Sequence, residues 1–452
     1  MKTIGAVAVA GAVLLHSGAV PQDAVPRPPK FDYTKTTLDN GLQVVFLEDH
    51  STPIVHVALW YHVGSKNEKP GRTGFAHLFE HLMFKGSKNV APDQHPSWIT
   101  SVGGQANAFT DEDATVYWQT VPAQYLPLVL WLEADRMASL EVSEDKFLNE
   151  REVVTEERRM RYENQPFGRL PEIIFDKAFT VHPYKHQTIG SLADLEAASI
   201  EDVRAFHGTY YVPNNATLVV VGDFDAAQAK DLVGQYLGRV PRGAEVPRDI
   251  PVEPPHEGEE RHTVTEPWPL PAVVVSYHIT YDGHPDAYPL HILAKILSDG
   301  DSSRIYRSLV YEQQVALAAF GEAKLIEHPN LFYAVAIVQP GRNPEDVLGA
   351  LQAQLDRVKT EGVTAEELAR AKRQFARDYI LGRETAQQKA LHLAHAVVIH
   401  DDITTADGEF DLFQSVTLDD VKRVANTYFT PQSRMLLTIL PGPSSGGTGG
   451  GR

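Results

Sequence analysis

Two histidines four residues apart, with a glutamate beside the second, stand in the segment His77-Leu78-Phe79-Glu80-His81. On a helix, positions i and i+4 lie one turn apart on one face, so both imidazoles can reach a single ion. Glu80 follows His77 by three residues and points toward the same face, placed to take a proton from water at the metal. Zinc suits such a site because it lowers the pKa of water and polarises a carbonyl. Phe75, Leu78, Phe79, Leu82, Met83 and Phe84 flank the motif, which predicts a buried helix and strengthened charge interactions at the ion. The five-residue pattern also has a bland reading, an ordinary His/Glu contact on a helix.

A third protein ligand decides between these, since catalytic zinc commonly takes three and leaves a position for water. The stretch from Glu144 to Glu163 reads as a helix and carries Glu150, Glu152, Glu156 and Glu157. Glu150 and Glu157 are two turns apart on one face, and Val153 and Val154 supply an apolar stripe beside them. Arg151, Arg158 and Arg159 are ready partners for a solvated acidic face instead. Composition does not choose among these carboxylates.

The elements that must hold these residues are mixed. Thr36 to Glu48 reads as a hairpin turning at Asn40-Gly41, Val55 to Val63 as a strand, and Leu126 to Leu140 as a helix. Sequential hairpins without strict βα alternation favour an α+β fold. The chain also repeats. Ser199-Ile200-Glu201-Asp202-Val203-Arg204 matches Thr417-Leu418-Asp419-Asp420-Val421-Lys422, Thr209 to Pro213 matches Thr427 to Pro431, and Leu218 to Val221 matches Leu436 to Ile439. The offset is 218 residues throughout. Each copy reads as a Ser/Thr-capped helix with an acidic first turn, an aromatic pair, a proline and a β-branched strand, so two domains of one fold are expected. Eight prolines between Pro241 and Pro271 mark that stretch as a linker. The expected domains are residues 30–240, bearing the metal motif, and 272–442, with a flexible Gly/Ser-rich tail at 443–452.

Composition narrows the classes of function. A chain of 452 residues with 43% hydrophobic and 22% charged residues is globular and too long for one ordinary core. Its formal net charge of −18 repels phosphate backbones, so nucleic acid is not an expected partner. With no cysteine, thiol catalysis, disulfides and Cys-ligated zinc are excluded. Lys2, the apolar run Ile4 to Leu15 and Ser17-Gly18-Ala19 read as a signal peptide over residues 1–19, implying export, most simply to a bacterial periplasm. No other stretch reads as a membrane span.

The motif followed by Glu157 resembles the inverted zinc motif of the insulinase/pitrilysin metallopeptidases. Asn40-Gly41-Leu42, Gly74-x-x-His77, Gly103-Gly104-x-x-Asn107-Ala108-Phe109-Thr110, Glu150-x6-Glu157, Val221-Gly222-Asp223 and Ser302-Ser303-Arg304-Ile305-Tyr306 match that family in order across nearly the whole chain. The resemblance implies His77, His81 and Glu157 as ligands of one Zn2+, Glu80 as general base, and Glu150 as a carboxylate behind the ligands that orients one of them or the base. It also implies that Gly104, Asn107, Ala108 and Phe109 belong to an edge strand to which peptide adds through main-chain hydrogen bonds at Asn107 and Ala108.

Two departures matter. The 218-residue offset sets Lys295, Ser298 and Asp299 opposite His77, Glu80 and His81, and His291 has no Glu and second His at the needed spacing, so one site per chain is expected. The family's Arg/Tyr pair, which holds the substrate carbonyl and oxyanion, aligns with Leu309 and Ala316, whose side chains donate no hydrogen bond. Tyr281, Tyr288, Tyr306 and Tyr311 read more simply as packing aromatics. The expectation is therefore a zinc endopeptidase forming the metal-bearing half of a heterodimer, with a homologous subunit supplying Arg and Tyr. The rival readings are a non-catalytic scaffold of the same fold and a periplasmic metal-binding protein.

Overall fold

The computed structural model describes residues 26–442; the expected leader at 1–19 and tail at 443–452 lie outside them. Eleven strands form two sheets among the described residues. The first sheet has the order β1-β2-β6-β3-β5-β4, with β1 Tyr33–Thr37, β2 Gln43–Glu48, β3 Ile54–Tyr61, β4 Gln105–Thr110, β5 Thr115–Pro122 and β6 Ala216–Gly222. The second has the order β7-β11-β8-β10-β9, with β7 Glu260–Glu266, β8 Ala272–His278, β9 Ala316–Ala323, β10 Leu331–Val338 and β11 Arg434–Pro441. Pairing is antiparallel except for β2 with β6 and β7 with β11. With helices packed against both sheets, the fold is α+β and made of two related halves.

The stretch 241–271 is not linker throughout. β7 lies inside it and closes one edge of the second sheet beside β11. Its prolines at 267, 269 and 271 fall after the strand, where they remove no ladder donor from it. β2 begins at Gln43 and the residue 218 positions on is Arg261, so the repeat offset was the signal for this strand.

The repeat is also visible in its conformational details. The Ile200–Tyr210 and Leu418–Tyr428 helices open on reciprocal capping boxes, Ser199 with Asp202 and Thr417 with Asp420. Both end on an aromatic residue in one conformation, Tyr211 at φ −92°, ψ 61° and Phe429 at φ −85°, ψ 62°.

Both sheets are buried on two faces, which explains why β3, β6 and β8 read as nearly unbroken apolar runs. Alternate residues separate two cores. In the first sheet Val44, Val55, Val57, Leu59, Leu218 and Val220 face the first half's own helices. Val45, Leu47, Ala58, Trp60, Val219 and Val221 face the Ala386–Val398 helix, which comes from the second half. The second sheet mirrors this: Ala272, Val274, Val335, Leu437 and Ile439 are covered by the Leu170–Ala178 helix of the first half. Each half thus lends one helix to the other, and the helices stand at equivalent places in the repeat.

A buried ionic group sits between the halves. The ammonium of Lys66 meets Asp113 Oδ1 at 2.9 Å and also pairs with Glu327. Tyr184 donates to Asp113 Oδ1 (2.6 Å), and the Glu327 N–H donates to Asp113 Oδ2 (3.0 Å). His62 Nε2 lies 2.6 Å from Glu327.

Candidate metal centre and active site

The motif helix runs Phe75–Leu82 and starts on Gly74 at φ 94°, a left-handed conformation that glycine adopts without strain. A Cβ on Gly74 would stand 2.7 Å from the Ile189 carbonyl oxygen, so the glycine also lets the 189–191 loop press against the helix start. The first turn is capped by a buried carboxylate. Gly74 N–H donates to Glu68 Oε2 and Ala76 N–H to Glu68 Oε1, both at 2.8 Å. Burial pushes the Glu68 carboxyl well up, and these amides oppose it. One strand of contacts thus fixes the orientation of the helix on which His77, Glu80 and His81 stand.

The Glu144–Arg158 helix packs beside it and continues as a π-helical turn, Arg159–Glu163. Glu157 Oε2 lies 3.8 Å from His77 Nε2 and 3.4 Å from His81 Nε2. One ligand atom from each of the three residues falls within 4.8 Å of the others. Bonds of about 2.1 Å at tetrahedral angles set ligand atoms about 3.4 Å apart, so these separations fit a zinc-sized ion. Two imidazoles and one carboxylate are also a donor set that zinc accepts, with a fourth position open.

The remaining predicted residues take distinct places. Glu150 is buried, with Oε2 3.4 Å from His81 Nδ1 and Oε1 3.2 Å from Lys85 Nζ, so it stands behind His81 and not behind the base. Glu80 Oε2 accepts a hydrogen bond from Thr110 Oγ1 (2.8 Å) at the end of β4. β4 pairs with β5 alone, leaving its other edge without a strand among the described residues. Gly104 precedes it; a Cβ there would come 2.6 Å from Val121 and 2.8 Å from the Thr120 carbonyl, so the glycine serves close packing. Asn107 is exposed, and Ala108 packs on the motif-helix side. Phe109 packs on the opposite face, edge-on to Trp60 at 6.0 Å, which leaves its main chain at the edge.

Electrostatics separates the two histidines. Burial, reinforced by His81, holds His77 down at about 4. Burial also works against a charged His81, but Glu150 and Glu157 overcome it and raise His81 to about 9. Ligation requires neutral imidazole, so an ion here competes with that proton. Burial pushes Glu80 up, opposed by the Thr110 hydroxyl. His81 holds Glu157 below the usual carboxylate range. Three neighbours were not foreseen as parts of the site: Glu68, Lys85 and Arg161, which meets Glu157 Oε1 at 2.7 Å; Thr110 belongs to the matched Gly103–Thr110 segment, but its bond to Glu80 was not foreseen. Arg161 stands four residues after Glu157, a helical spacing that could have flagged it, whereas Lys85 lies past the end of the motif helix and reaches Glu150 on another helix. No spacing pointed to Glu68.

Comparison with known proteins identifies the lineage. Residues 43–191 match the family model described as insulinase (peptidase family M16), and residues 197–375 match the one described as peptidase M16 inactive domain. The zinc protease PqqE of Helicobacter pylori is 32% identical over 413 residues, covering 90% of this chain and 93% of that protein. The chain belongs to the insulinase family, peptidase family M16. A crystal structure of a protease from Helicobacter pylori superimposes on this M16 chain with a TM-score of 0.86 at 31% identity, over 91% of this chain and 100% of that one. A peptidase M16 inactive domain from Pseudomonas fluorescens shares the fold, with a TM-score of 0.82 at 16% identity over 92% and 99% of the two chains.

At the positions that the 218-residue offset sets opposite the motif, the second half of this M16 chain carries an ion pair. Lys295 and Asp299 stand where the offset sets His77 and His81, on the Ala287–Ser298 helix and at its end. The Lys295 ammonium lies 2.9 Å from both Asp299 and Asp378. His291 is enclosed by Phe375 and Phe413 and held neutral by burial, at about 4. Leu309 and Ala316 are both buried in the second core.

Proposed function

We propose that this chain is an exported zinc-dependent endopeptidase that takes unfolded peptide as an added strand along β4. The observation that carries the reading is the convergence of His77, His81 and Glu157 on one point, with the Glu80 carboxylate tethered by Thr110 at the end of an unpaired strand edge. His77, His81 and Glu157 would hold the ion, and Glu150 would fix the ring of His81. Zinc, when bound, polarises the scissile carbonyl and acidifies water. Glu80 takes the proton of the attacking water and delivers it to the leaving amine nitrogen. The main chain at Asn107 and Ala108 aligns an extended peptide, a mode that reads peptide shape more than sequence. The similarity to a protein named zinc protease supports this over a scaffold or a metal carrier.

Glu80→Gln tests it. The variant is expected to keep zinc by elemental analysis and to lose about 10²–10⁴-fold in cleavage of an unstructured peptide. Cleavage at the wild-type rate would overturn the assignment.

The heterodimer reading rests on the burial of Leu309 and Ala316, which offer no donor to a developing oxyanion. A homologous subunit would supply Arg and Tyr. Purification of the chain from its host is expected to bring a second polypeptide of similar size. Full activity of the chain alone would sink this part.

A further inference from the structure

Asp282, His395 and His400 meet at a second point, remote in sequence from the motif. Each offers one ligand atom, and the three atoms lie within 4.8 Å of one another. His395 Nε2 is 3.2 Å from Asp282 Oδ2, and His400 Nε2 is 3.1 Å from the same oxygen. The imidazole centroids are 5.1 Å apart, close to the 4.9 Å of His77 and His81. We propose that this cluster is a second metal site, for a late first-row divalent cation of the zinc class.

The geometry around His400 carries the argument. Its Nδ1 lies 2.9 Å from the Thr405 hydroxyl, so the other ring nitrogen, Nε2, is the one turned toward Asp282. That nitrogen is buried and has no hydrogen-bond partner among the described residues. The Thr405 contact is the outer hydrogen bond that metal-ligating histidines commonly make. Two imidazoles with one carboxylate select zinc-class ions over calcium or magnesium. His395 is partly open to solvent, which leaves an entry path.

The location gives the ion a role. His395 stands on the Ala386–Val398 helix that covers the first sheet. Asp282 follows β8 of the second sheet, its N–H donating to the Ile326 carbonyl oxygen at 2.8 Å. His400 leads into the Thr405–Ser415 helix. A bound ion staples the lent helix to the half from which it comes.

Zinc stoichiometry and melting temperature test this. Wild type, His77→Ala, Asp282→Asn and His400→Gln are stripped with chelator and titrated with Zn2+ by calorimetry. Asp282→Asn and His400→Gln are each expected to lower stoichiometry by one equivalent per chain, whatever the first site holds. His77→Ala is expected to keep that equivalent and a zinc-induced rise in melting temperature of several degrees, absent in Asp282→Asn. Asp282→Asn preserves side-chain shape, so it remains informative where His400→Gln unfolds. Stoichiometry unchanged by Asp282→Asn overturns the proposal, as does a proton alone filling the gap, seen as no saturable zinc binding in His77→Ala. Loss of peptide cleavage by Glu80 variants has no bearing on this result.

Discussion

Glu68 caps the first turn of the motif helix. Its two oxygens accept from two amides of the first turn. An amide side chain has one acceptor oxygen, so Glu68→Gln sets its NH2 against one of those N–H groups. Leaving a buried donor unmatched costs about 1–3 kcal/mol. The variant is expected to lose that much stability in urea denaturation and to bind zinc more weakly, since His77 stands three residues from the capped glycine. Unchanged zinc affinity would show that the cap holds the helix but not the ligands. The common face of His77 and His81 was legible from spacing, because residues four apart on a helix lie one turn apart. The partner carboxylate was not legible from spacing, because Glu150, Glu152, Glu156 and Glu157 sit on one helix; the family resemblance named Glu157, and the packing of that helix brings it to the histidines. Glu68 was invisible for a similar reason: the loop that returns it to the helix start has no periodicity.

The lent helices are the elements that join the halves. Leu393 on the Ala386–Val398 helix is fully buried against the first sheet. Leu393→Ala is expected to cost about 2–5 kcal/mol, as buried leucine truncations do. Because this residue belongs to one half and its pocket to the other, urea unfolding is expected to remain a single transition by tryptophan fluorescence and circular dichroism. Two separated transitions in the variant would argue against coupling. A chain of residues 26–250 alone would expose Val45, Leu47, Trp60, Val219 and Val221, an apolar face fit to aggregate. Soluble yield is expected to recover when residues 251–442 are co-expressed. The hairpin at Asn40-Gly41, the repeat and the Ser/Thr helix caps were readable from residue types. β7 was hidden by the prolines around it, although its place in the repeat marked it.

At the scale of the whole molecule, the buried Lys66, Asp113 and Glu327 group ties the halves and makes their union sensitive to acid. Burial alone would raise Glu327, but His62 and Lys66 outweigh it and hold it at about 2. In an unfolded chain a glutamate titrates near about 4.3. Between these values the unfolded state binds more protons, so the contribution is fully present above about pH 4.3 and is lost as pH falls toward 2. Glu327→Gln removes this titration, and its urea midpoint is expected to fall less than that of wild type between pH 6 and pH 3. Lys66→Met leaves two carboxylates facing each other in a buried site and is expected to cost about 3–5 kcal/mol. Neither partner could be named beforehand, since Lys66 and Glu327 stand 261 positions apart with no pattern that pairs them.

The sequence by itself determined the local facts: a histidine pair on one helical face, a duplicated α+β unit, and a second half with no metal motif. These follow from periodicity and residue chemistry, which act over a few turns or a few strands. The tertiary structure decided that Glu68 returns to cap the motif helix, which face of each sheet the opposite half covers, and that Asp282 meets His395 and His400. Those are meetings of segments far apart in the chain. They depend on how whole helices and sheets pack, and packing is set by every buried surface at once.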